Sequence, residues 1–237
     1  MKNIPDFSKA KETYRNSAFV QNKMAKTLCE ICAKHFGLNY GKIFEIGSGT
    51  GLLTDNIVKN FNFCELILND LTENFTGYNY SFLKGDASVL QLPKNCDLII
   101  SGACFQWICN VESFFTKLKK SLNEKGILAF SSFGKDNFYE FKSVENLGLD
   151  YCNYAEILSR CGYSIVEYER EKVTLYFKTP KDILRHISST GAVIPSDKHW
   201  SKTSLKSFEK KYIELFGDEK GGPEIDKLAS CGNAVYT

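Results

Sequence analysis

The stretch EIGSGTG, at residues 45–51, carries more information about this chain than any other part of it. It follows a short apolar run, precedes a helical pattern, and is followed nineteen positions after its last glycine by Asp70. Glycines at this spacing let a backbone turn sharply from a strand into a helix and approach a ligand closely. A dinucleotide fingerprint would need a further glycine where this chain has Leu52. The stretch therefore predicts a strand–turn–helix ligand site and disfavours a dinucleotide pyrophosphate.

Apolar runs alternate with helical patterns along the chain. A long helix or helix pair is predicted at residues 8–36 and a second helix at 51–60. Strands are predicted at 42–46, 66–68, 80–83, 97–100 and 127–131, with a turn at 123–126 before the fifth and a last strand near 234–236. This alternation predicts an α/β fold in which helices cover both faces of a parallel sheet. Ligands of such folds bind beyond the carboxyl ends of the strands.

Length and composition fit one globular domain. The chain has 237 residues, of which 43% are hydrophobic and 24% are charged, and this balance indicates neither a disordered protein nor a membrane protein. No apolar run resembles a signal peptide or a membrane span, so a cytoplasmic protein is expected. We expect a single domain over residues 1–237, with an N-terminal helical cap at 1–40 and a lysine-rich helical lid at about 180–217.

The cysteines and histidines predict no metal site. Nine cysteines are an odd number, and their scatter along the chain favours free thiols in a reducing compartment. Cys29 and Cys32 form a C-x-x-C, but they lie in a helical pattern without a second pair at zinc-ligand spacing, and the three histidines are dispersed. The net charge of +2 is too small to indicate nucleic-acid binding.

The spacing Glu-x-Gly-x-Gly-x-Gly resembles the first motif of class I S-adenosylmethionine-dependent methyltransferases. The resemblance implies that Glu45 holds the loop and the amino-acid end of the cofactor. Glycine N–H groups and the N-terminus of the following helix can meet the carboxylate of that cofactor. Asp70 would accept both ribose hydroxyls, and Asp86, in a Gly-Asp-Ala stretch, would accept the adenine amine. The predicted cofactor-binding residues at these strand ends are Glu45, Gly47, Ser48, Gly49, Asp70, Leu71, Asp86, Ala87, Ser101 and Gly102.

Three further segments resemble one methyltransferase family. They are FSKAKETY at residues 7–14 with Gln21 downstream, Gln106-Trp107 after the fourth strand, and SSTGA at 188–192. Their order and spacing resemble the malonyl-acyl-carrier-protein O-methyltransferases of biotin biosynthesis over nearly the whole chain, although residues 217–237 match poorly. The resemblance implies a Rossmann-like, mostly parallel, seven-stranded sheet. It also implies that Tyr14 and Gln21 close the cofactor pocket and that Gln106 and Trp107 line the methyl-acceptor side.

Several of these residues also have a purely structural explanation. Asp70 could cap a helix that begins at Leu71, and Asp86 could be an ordinary turn residue. Taken singly, Gln21 and Trp107 are better explained by packing than by ligand binding.

An enzyme that methylates a carboxylate has to hold the acceptor but does not have to deprotonate it. Its ordinary pKa of about 4 leaves it ionised at neutral pH, so methyl transfer from a sulfonium needs no general base. A cation must still hold the acceptor, and Arg185, at the start of the predicted lid, offers a planar fork, unless it is simply a solvated helix charge. The predicted catalytic residues are Tyr14, Gln106, Trp107 and Arg185.

A run of lysines at four-residue spacing predicts a cationic stripe on a helix. It comprises Lys198, Lys202, Lys206 and Lys210, with Lys211 adjacent in sequence. The stripe is either a solvated face or the docking surface for a small acidic carrier protein. The sequence thus favours a monomeric enzyme that uses S-adenosylmethionine to esterify malonyl-acyl carrier protein or malonyl-coenzyme A, without a nucleic-acid or membrane partner. Two alternatives stay open, namely a small-molecule C- or O-methyltransferase of quinone type and a non-catalytic cofactor-binding module.

Overall fold

The computed structural model describes residues 18–74, 77–134, 137, 139–145, 152–189, 201–217 and 229–236. Within them the helices are α1 Phe19–Phe36, α2 Leu52–Asn60, α3 Val111–Lys119, α4 Tyr139–Glu145, α5 Tyr154–Arg160, α6 Pro180–Ser189 and α7 Lys202–Phe216, with a single 3-10 turn at Phe105–Trp107. The strands are β1 Asn39–Ile46, β2 Asn62–Asp70, β3 Ser81–Lys84, β4 Cys96–Gly102, β5 Leu122–Phe133, β6 Ile165–Val173 and β7 Ala229–Tyr236.

The strands form one sheet in the order β3-β2-β1-β4-β5-β7-β6. Neighbours among β1 to β5 are parallel, whereas β7 runs antiparallel to both β5 and β6. The chain leaves β1 towards β2 and later returns to the other side of β1 at β4, so the strand order reverses between β1 and β4. Open α/β sheets bind their ligands at such a switch point, outside the carboxyl ends of the strands. The predicted fold class is confirmed.

Alternating strand residues bury the two faces of the sheet under different helices. The face covered by α1 and α2 includes Ile43, Leu68, Leu98 and Ile100 packed with Leu28, Ile31, Leu53 and Ile57. The opposite face, covered by α3 and α5, includes Phe44, Ile99, Leu128 and Phe130 packed with Phe105, Phe114, Phe115 and Leu158. Each such side chain stabilises the fold by about 1.5–3 kcal/mol on burial. The two layers therefore fix the strand ends that carry the candidate site.

Helices α4, α6 and α7 form a separate apolar cluster, in which none of the described side chains comes from a strand. Its buried side chains are Phe141, Val144, Ile183, Ile187, Phe208 and Tyr212. Helices α6 and α7 lie within the lid predicted at about 180–217, and residues 190–200 between them lie outside the described residues. Among the described helices, none has both the length and the apolar character that crossing a membrane requires.

Two parts of the sheet differ from the prediction. β6 was not predicted, because most of its side chains are exposed and many are charged. The turn predicted at 123–126 is part of β5. These four residues form a bulge, because only one residue of β4, Asp97, lies opposite them. The Asp97 carboxylate holds this bulge, since it accepts hydrogen bonds from Asn123 Nδ2 and, at 2.7 Å, from the N–H of Lys42.

The amino-terminal helix is described from Phe19 onward, so residues 8–17 of the predicted helix lie outside the described residues. Cys29 and Cys32 are buried in α1 and belong to the core under the sheet. Burial raises the pKa of Cys32 to about 12, which makes both the position and the protonation state of this thiol those of a core residue.

Candidate functional site

The turn after β1 contains three glycines in the left-handed region. Gly47, Gly49 and Gly51 have φ angles of +75°, +53° and +85°, a conformation that costs other residues about 1–2 kcal/mol. The N–H groups of Gly47 and Ser48 donate to the Asn69 carbonyl at 2.8 and 3.0 Å. The turn is therefore bonded to the end of β2. Glycine N–H groups of this turn were predicted to meet a ligand carboxylate, and that of Gly47 already has a protein acceptor.

Gly47 lies against Cys104, which follows β4 on the other side of the switch point. A Cβ on Gly47 would stand 2.5 Å from Cys104 Sγ and 2.6 Å from its Cβ, so only glycine fits. Ala103, just before Cys104, has a φ of +51°, and its N–H donates to the Ser131 carbonyl at 3.0 Å. Backbone strain of this kind is concentrated at functional sites. Burial raises the pKa of Cys104 to about 12, so its thiol is a neutral packing group.

Asp70 ends β2 and turns its carboxylate towards the glycine turn. Its Oδ2 accepts from the N–H of Gly49 at 2.8 Å, and its Oδ1 accepts from the N–H of Leu71 at 2.7 Å. Leu71 itself is exposed. No helix begins at Leu71 in the described residues, so the helix-cap explanation of Asp70 is wrong. Two N–H donors fix the orientation of a carboxylate at the place where the ribose was predicted.

Asn69 is a site residue that the sequence analysis missed. Its buried side-chain Nδ2 donates to the carbonyls of Leu83, at 2.7 Å, and Gly85, at 2.9 Å, while its own carbonyl accepts the two N–H groups of the glycine turn. One residue therefore ties together the ends of β1, β2 and β3. The available signal was a polar amide at the end of an otherwise apolar strand.

Asp86 follows β3 in a tight turn. Its Oδ1 accepts from the N–H of Ser88 at 2.8 Å, and its carbonyl accepts from the N–H groups of Val89 and Leu90, both at 3.1 Å. Ala87 is buried in the core beside it. Asp86 is thus a turn residue, as the structural explanation had it, and it is also held at the same edge of the sheet as Asp70.

Glu45 is fully buried in β1, beneath the glycine turn. Its Oε2 accepts from Thr54 Oγ1 of α2 at 2.7 Å, which ties the strand to the helix that follows the turn. Its Oε1 is buried and has no hydrogen-bond partner among the described residues. Burial raises the pKa of Glu45 from 4.5 to about 8, with Asp70 and Asp55 adding to the rise and the Thr54 hydrogen bond opposing it. A buried carboxyl oxygen without a partner suits a cationic group supplied from outside the chain, beside which the carboxyl would ionise.

Ser101 and Gly102, at the end of β4, build the switch point. The buried Ser101 hydroxyl donates to the Ile46 carbonyl at 2.8 Å and so joins β4 to β1. A Cβ on Gly102 would contact Leu53 of α2 at 3.4 Å. Both residues therefore have structural partners next to the glycine turn.

Gln106 is turned inward rather than towards solvent. Its Nε2 donates to the Ala103 carbonyl at 2.7 Å, and its Oε1 accepts from Ser132 Oγ at 3.4 Å. Trp107, which is half-buried, donates its backbone N–H to the Cys104 carbonyl at 3.0 Å. Gln106 therefore supports the loop that follows β4, and it does so through the strained Ala103.

Of the two residues predicted to close the pocket, one is described. Tyr14 lies outside the described residues. Gln21 is half-buried in the first turn of α1. Two other side chains of this helix, Val20 and Met24, pack with Ala103. The start of α1 therefore lies beside the end of β4, next to the switch point.

Arg185 is not brought to the glycine turn by any contact among the described residues. It lies in α6, exposed, and its Nη1 is 3.0 Å from Asp182 Oδ1 one turn earlier. Ile183 and Ile187 of the same helix are buried in the cluster with α4 and α7. The guanidinium thus projects from the solvent side of α6.

The sheet order, the glycine turn at the switch point and the acidic side chains at the strand ends define a class I methyltransferase. A methyltransferase-domain family model matches residues 44–130. The malonyl-acyl-carrier-protein O-methyltransferase of Calditerrivibrio nitroreducens is 38% identical over 220 residues, which cover 91% of this chain and 89% of that one. The chain therefore belongs to the malonyl-acyl-carrier-protein O-methyltransferase family, and the predicted resemblance is confirmed.

Solved structures show the same fold at low identity. A Bacillus halodurans structure assigned to the methyltransferases has a TM-score of 0.63 at 13% identity, with 90% of this chain and 96% of that chain covered. Phosphoethanolamine N-methyltransferase 2 of Haemonchus contortus, solved with S-adenosyl-L-methionine, has a TM-score of 0.52 at 16% identity, with 89% of this chain and 52% of that chain covered. These likenesses concern the architecture of the sheet and its helices.

Proposed function

We propose that this chain transfers a methyl group from S-adenosylmethionine to the free carboxylate of a malonyl thioester on acyl carrier protein. The product would be the methyl ester that primes pimeloyl synthesis for biotin. The observation that carries the proposal is the Asn69 network, which holds the glycine turn, Asp70 and the Asp86 turn at one edge of the sheet in a chain of this family. The family assignment does not favour the quinone-type enzyme or the non-catalytic module.

The residues at the switch point fit the cofactor. Asp70 and Asp86 are carboxylates fixed by backbone N–H groups, which suits the ribose hydroxyls and the adenine amine. The buried Oε1 of Glu45 suits the ammonium of the methionine part, because it lacks a donor among the described residues. We propose that Tyr14 and Gln21 close this pocket. When bound, the cofactor supplies a methyl group activated by a positive sulfur.

The enzyme has to orient the acceptor rather than activate it chemically. Its carboxylate is ionised at neutral pH, so no residue of this chain has to remove a proton. Alignment of reacting atoms can lower a barrier by roughly 7–11 kcal/mol. We propose that Trp107, supported by Gln106, lines the acceptor side, and that Arg185 exchanges Asp182 for the malonyl carboxylate, as a bidentate fork allows.

The test is mass spectrometry of malonyl-acyl carrier protein incubated with the chain and S-adenosylmethionine. We expect a net gain of one CH2, because a methyl group replaces the acidic proton, and we expect this gain to disappear when acetyl-acyl carrier protein, which lacks the free carboxylate, is the acceptor. Methylation of quinol precursors in place of the malonyl carrier would favour the first alternative. Cofactor binding without turnover on any acceptor would favour the second.

Replacing Asp70 by Ala is expected to weaken S-adenosylmethionine binding by roughly 10–100-fold, because a charge-assisted pair of hydrogen bonds is lost. Asp70→Asn keeps the shape of the side chain and one acceptor oxygen, so its affinity should lie between those of the wild type and Asp70→Ala. Calorimetric titration measures the affinity, and circular dichroism checks the fold. Unchanged affinity in a folded Asp70→Ala protein would remove Asp70 from the ribose site.

We further propose that the exposed face of α7 docks the carrier. Lys206 and Lys210 lie about 40° and 80° around the helix from Lys202, so all three share one exposed side, whereas Lys211 lies about 180° away. Lys198 lies outside the described residues. A monomeric, cytoplasmic enzyme without nucleic-acid or membrane partners completes the proposal.

Reversing Lys202 and Lys206 to Glu is expected to lower the rate on malonyl-acyl carrier protein far more than on malonyl-coenzyme A. Charges at such a surface act mainly on encounter, so the wild-type rate with the carrier should also fall as salt rises. Lys211→Glu is the matched control on the other side of the helix. Equal losses on both acceptors would instead indicate damage to the helical cluster, and no loss would leave the stripe a solvated face.

A further inference from the structure

Lys117 of α3 is attached to the turn that carries Asp86. Its Nζ donates to the carbonyls of Ala87, at 2.9 Å, and Ser88, at 3.0 Å. The residue is half-buried, with Phe114 and Leu118 of the same helix in the core. Burial lowers the pKa of Lys117, while the nearby Asp86 opposes that change. An ammonium that gives up water for two backbone carbonyls is a structural anchor, which solvated surface lysines are not.

The anchor reaches the Asp86 carboxylate through Ser88. The Ser88 N–H donates to Asp86 Oδ1 at 2.8 Å, while the Ser88 carbonyl accepts from Lys117. Ser88 is therefore held at both of its backbone polar groups, its N–H by the Asp86 carboxylate and its carbonyl by the Lys117 ammonium. Without the bond to Lys117, Ser88 can rotate, and the Asp86 carboxylate loses the donor that sets its direction.

We propose that Lys117 is a positioning residue for adenine recognition in this enzyme. It fixes the Asp86 turn so that the carboxylate faces the exocyclic amine of the cofactor, and it does so without touching the cofactor. This inference rests on the proposed function, because it takes Asp86 as the acceptor of that amine. A site built to bind an amine rejects a ring that carries an oxygen in its place. The ratio of the affinities for the two rings therefore measures how well the Asp86 carboxylate is aligned with the amine.

The chain offers a matched control on the same helix. Lys119 Nζ also donates to a backbone carbonyl, that of Gly162, and lies over the Tyr163 ring with 4.5 Å between the nitrogen and the ring centroid. Lys119 therefore anchors α3 to the segment before β6 instead of to the Asp86 turn. A change at Lys119 removes the same charge and the same kind of bond without reaching the proposed adenine site.

The experiment compares the affinities of S-adenosylhomocysteine and S-inosylhomocysteine, whose rings differ in the amine. Calorimetry is run on the wild type and on the Lys117→Met, Lys117→Arg and Lys119→Met variants. We expect the wild type to prefer the adenosyl ligand by roughly 10-fold or more, since one charge-assisted hydrogen bond distinguishes them. Lys117→Met should reduce this ratio by at least about 5-fold, Lys117→Arg should keep part of it, and Lys119→Met should keep all of it.

The ratio separates positioning from general stability, because a merely weakened fold would lower both affinities together. A Lys117→Met protein with the wild-type ratio would overturn the proposal. Should that variant fail to fold, Lys117→Gln, whose amide is uncharged and one bond shorter, replaces it, and an unchanged ratio there overturns the proposal equally. A wild type that binds both ligands alike would instead overturn the assignment of Asp86 within the proposed function.

Discussion

Replacing Glu45 by Gln is expected to remove most of the fall in stability that the unliganded protein shows between about pH 4.5 and 8. Because burial raises the pKa of Glu45 in the folded state to about 8 from an ordinary 4.5, the folded protein holds a proton that the unfolded chain releases. The contribution of Glu45 to stability is then fully present below pH 4.5 and is lost as the pH rises through 8, by roughly 4–5 kcal/mol in total. Denaturant unfolding at a series of pH values measures it.

Glu124→Gln, at an exposed carboxylate of β5, is the control and should leave the wild-type slope intact. Cofactor binding should lower the pKa of the Glu45 carboxyl, because an ammonium beside Oε1 favours its ionised form. Binding at pH 7 should therefore release a proton from the wild type and none from Glu45→Gln. Calorimetry in two buffers of different ionisation enthalpy counts that proton. An identical pH slope in the two proteins would show that Glu45 is ionised in the folded state at neutral pH.

Replacing Gly47 by Ala is expected to destabilise the protein by roughly 2–5 kcal/mol. The new Cβ would add left-handed strain at a φ of +75° and would meet Cys104 Sγ at 2.5 Å. The measurement is the free energy of unfolding by denaturant. Because Gly47 is the point where the β1 turn meets the loop after β4, cofactor affinity should fall in the same variant.

Gly49→Ala separates the two causes of that loss. Gly49 has a φ of +53°, but a Cβ there would meet nothing within 4 Å, so only the backbone strain of about 1–2 kcal/mol should appear. Cys104→Gly should restore part of the stability lost in Gly47→Ala, since it removes both atoms of the clash. Equal losses at Gly47 and Gly49 would mean that Cys104 gives way without cost.

The strand ends of the site could be predicted because they depend on local pattern. Apolar runs that end in Gly47, Asp70 and Asp86 indicate parallel strands whose carboxyl ends share one edge of a sheet. The family resemblance then supplied roles for these residues. These strand ends do not depend on which distant residues contact one another.

The remaining features depend on contacts that a single sequence does not reveal. Asn69 and Lys117 bond to backbone carbonyls of residues 14 to 30 positions away, and no motif marks such bonds. The direction of Gln106 depends on the strained Ala103 and on Ser132 of β5. β6 escaped prediction because its exposed, charged pattern resembles a loop, and only its pairing with β7 makes it a strand.

The position of β7 between β5 and β6 has a consequence for synthesis of the protein. Among the described strands, β6 has no other neighbour in the sheet, and 55 residues separate Val173 from Ala229. At roughly 5–20 residues per second, a ribosome needs about 3–11 seconds to make that interval. During this time both β6 and β5 lack their partner strand β7, so the strand edges that β7 later covers are open to other chains. A nascent chain of this protein therefore passes through a period in which a holding chaperone would protect it from aggregation.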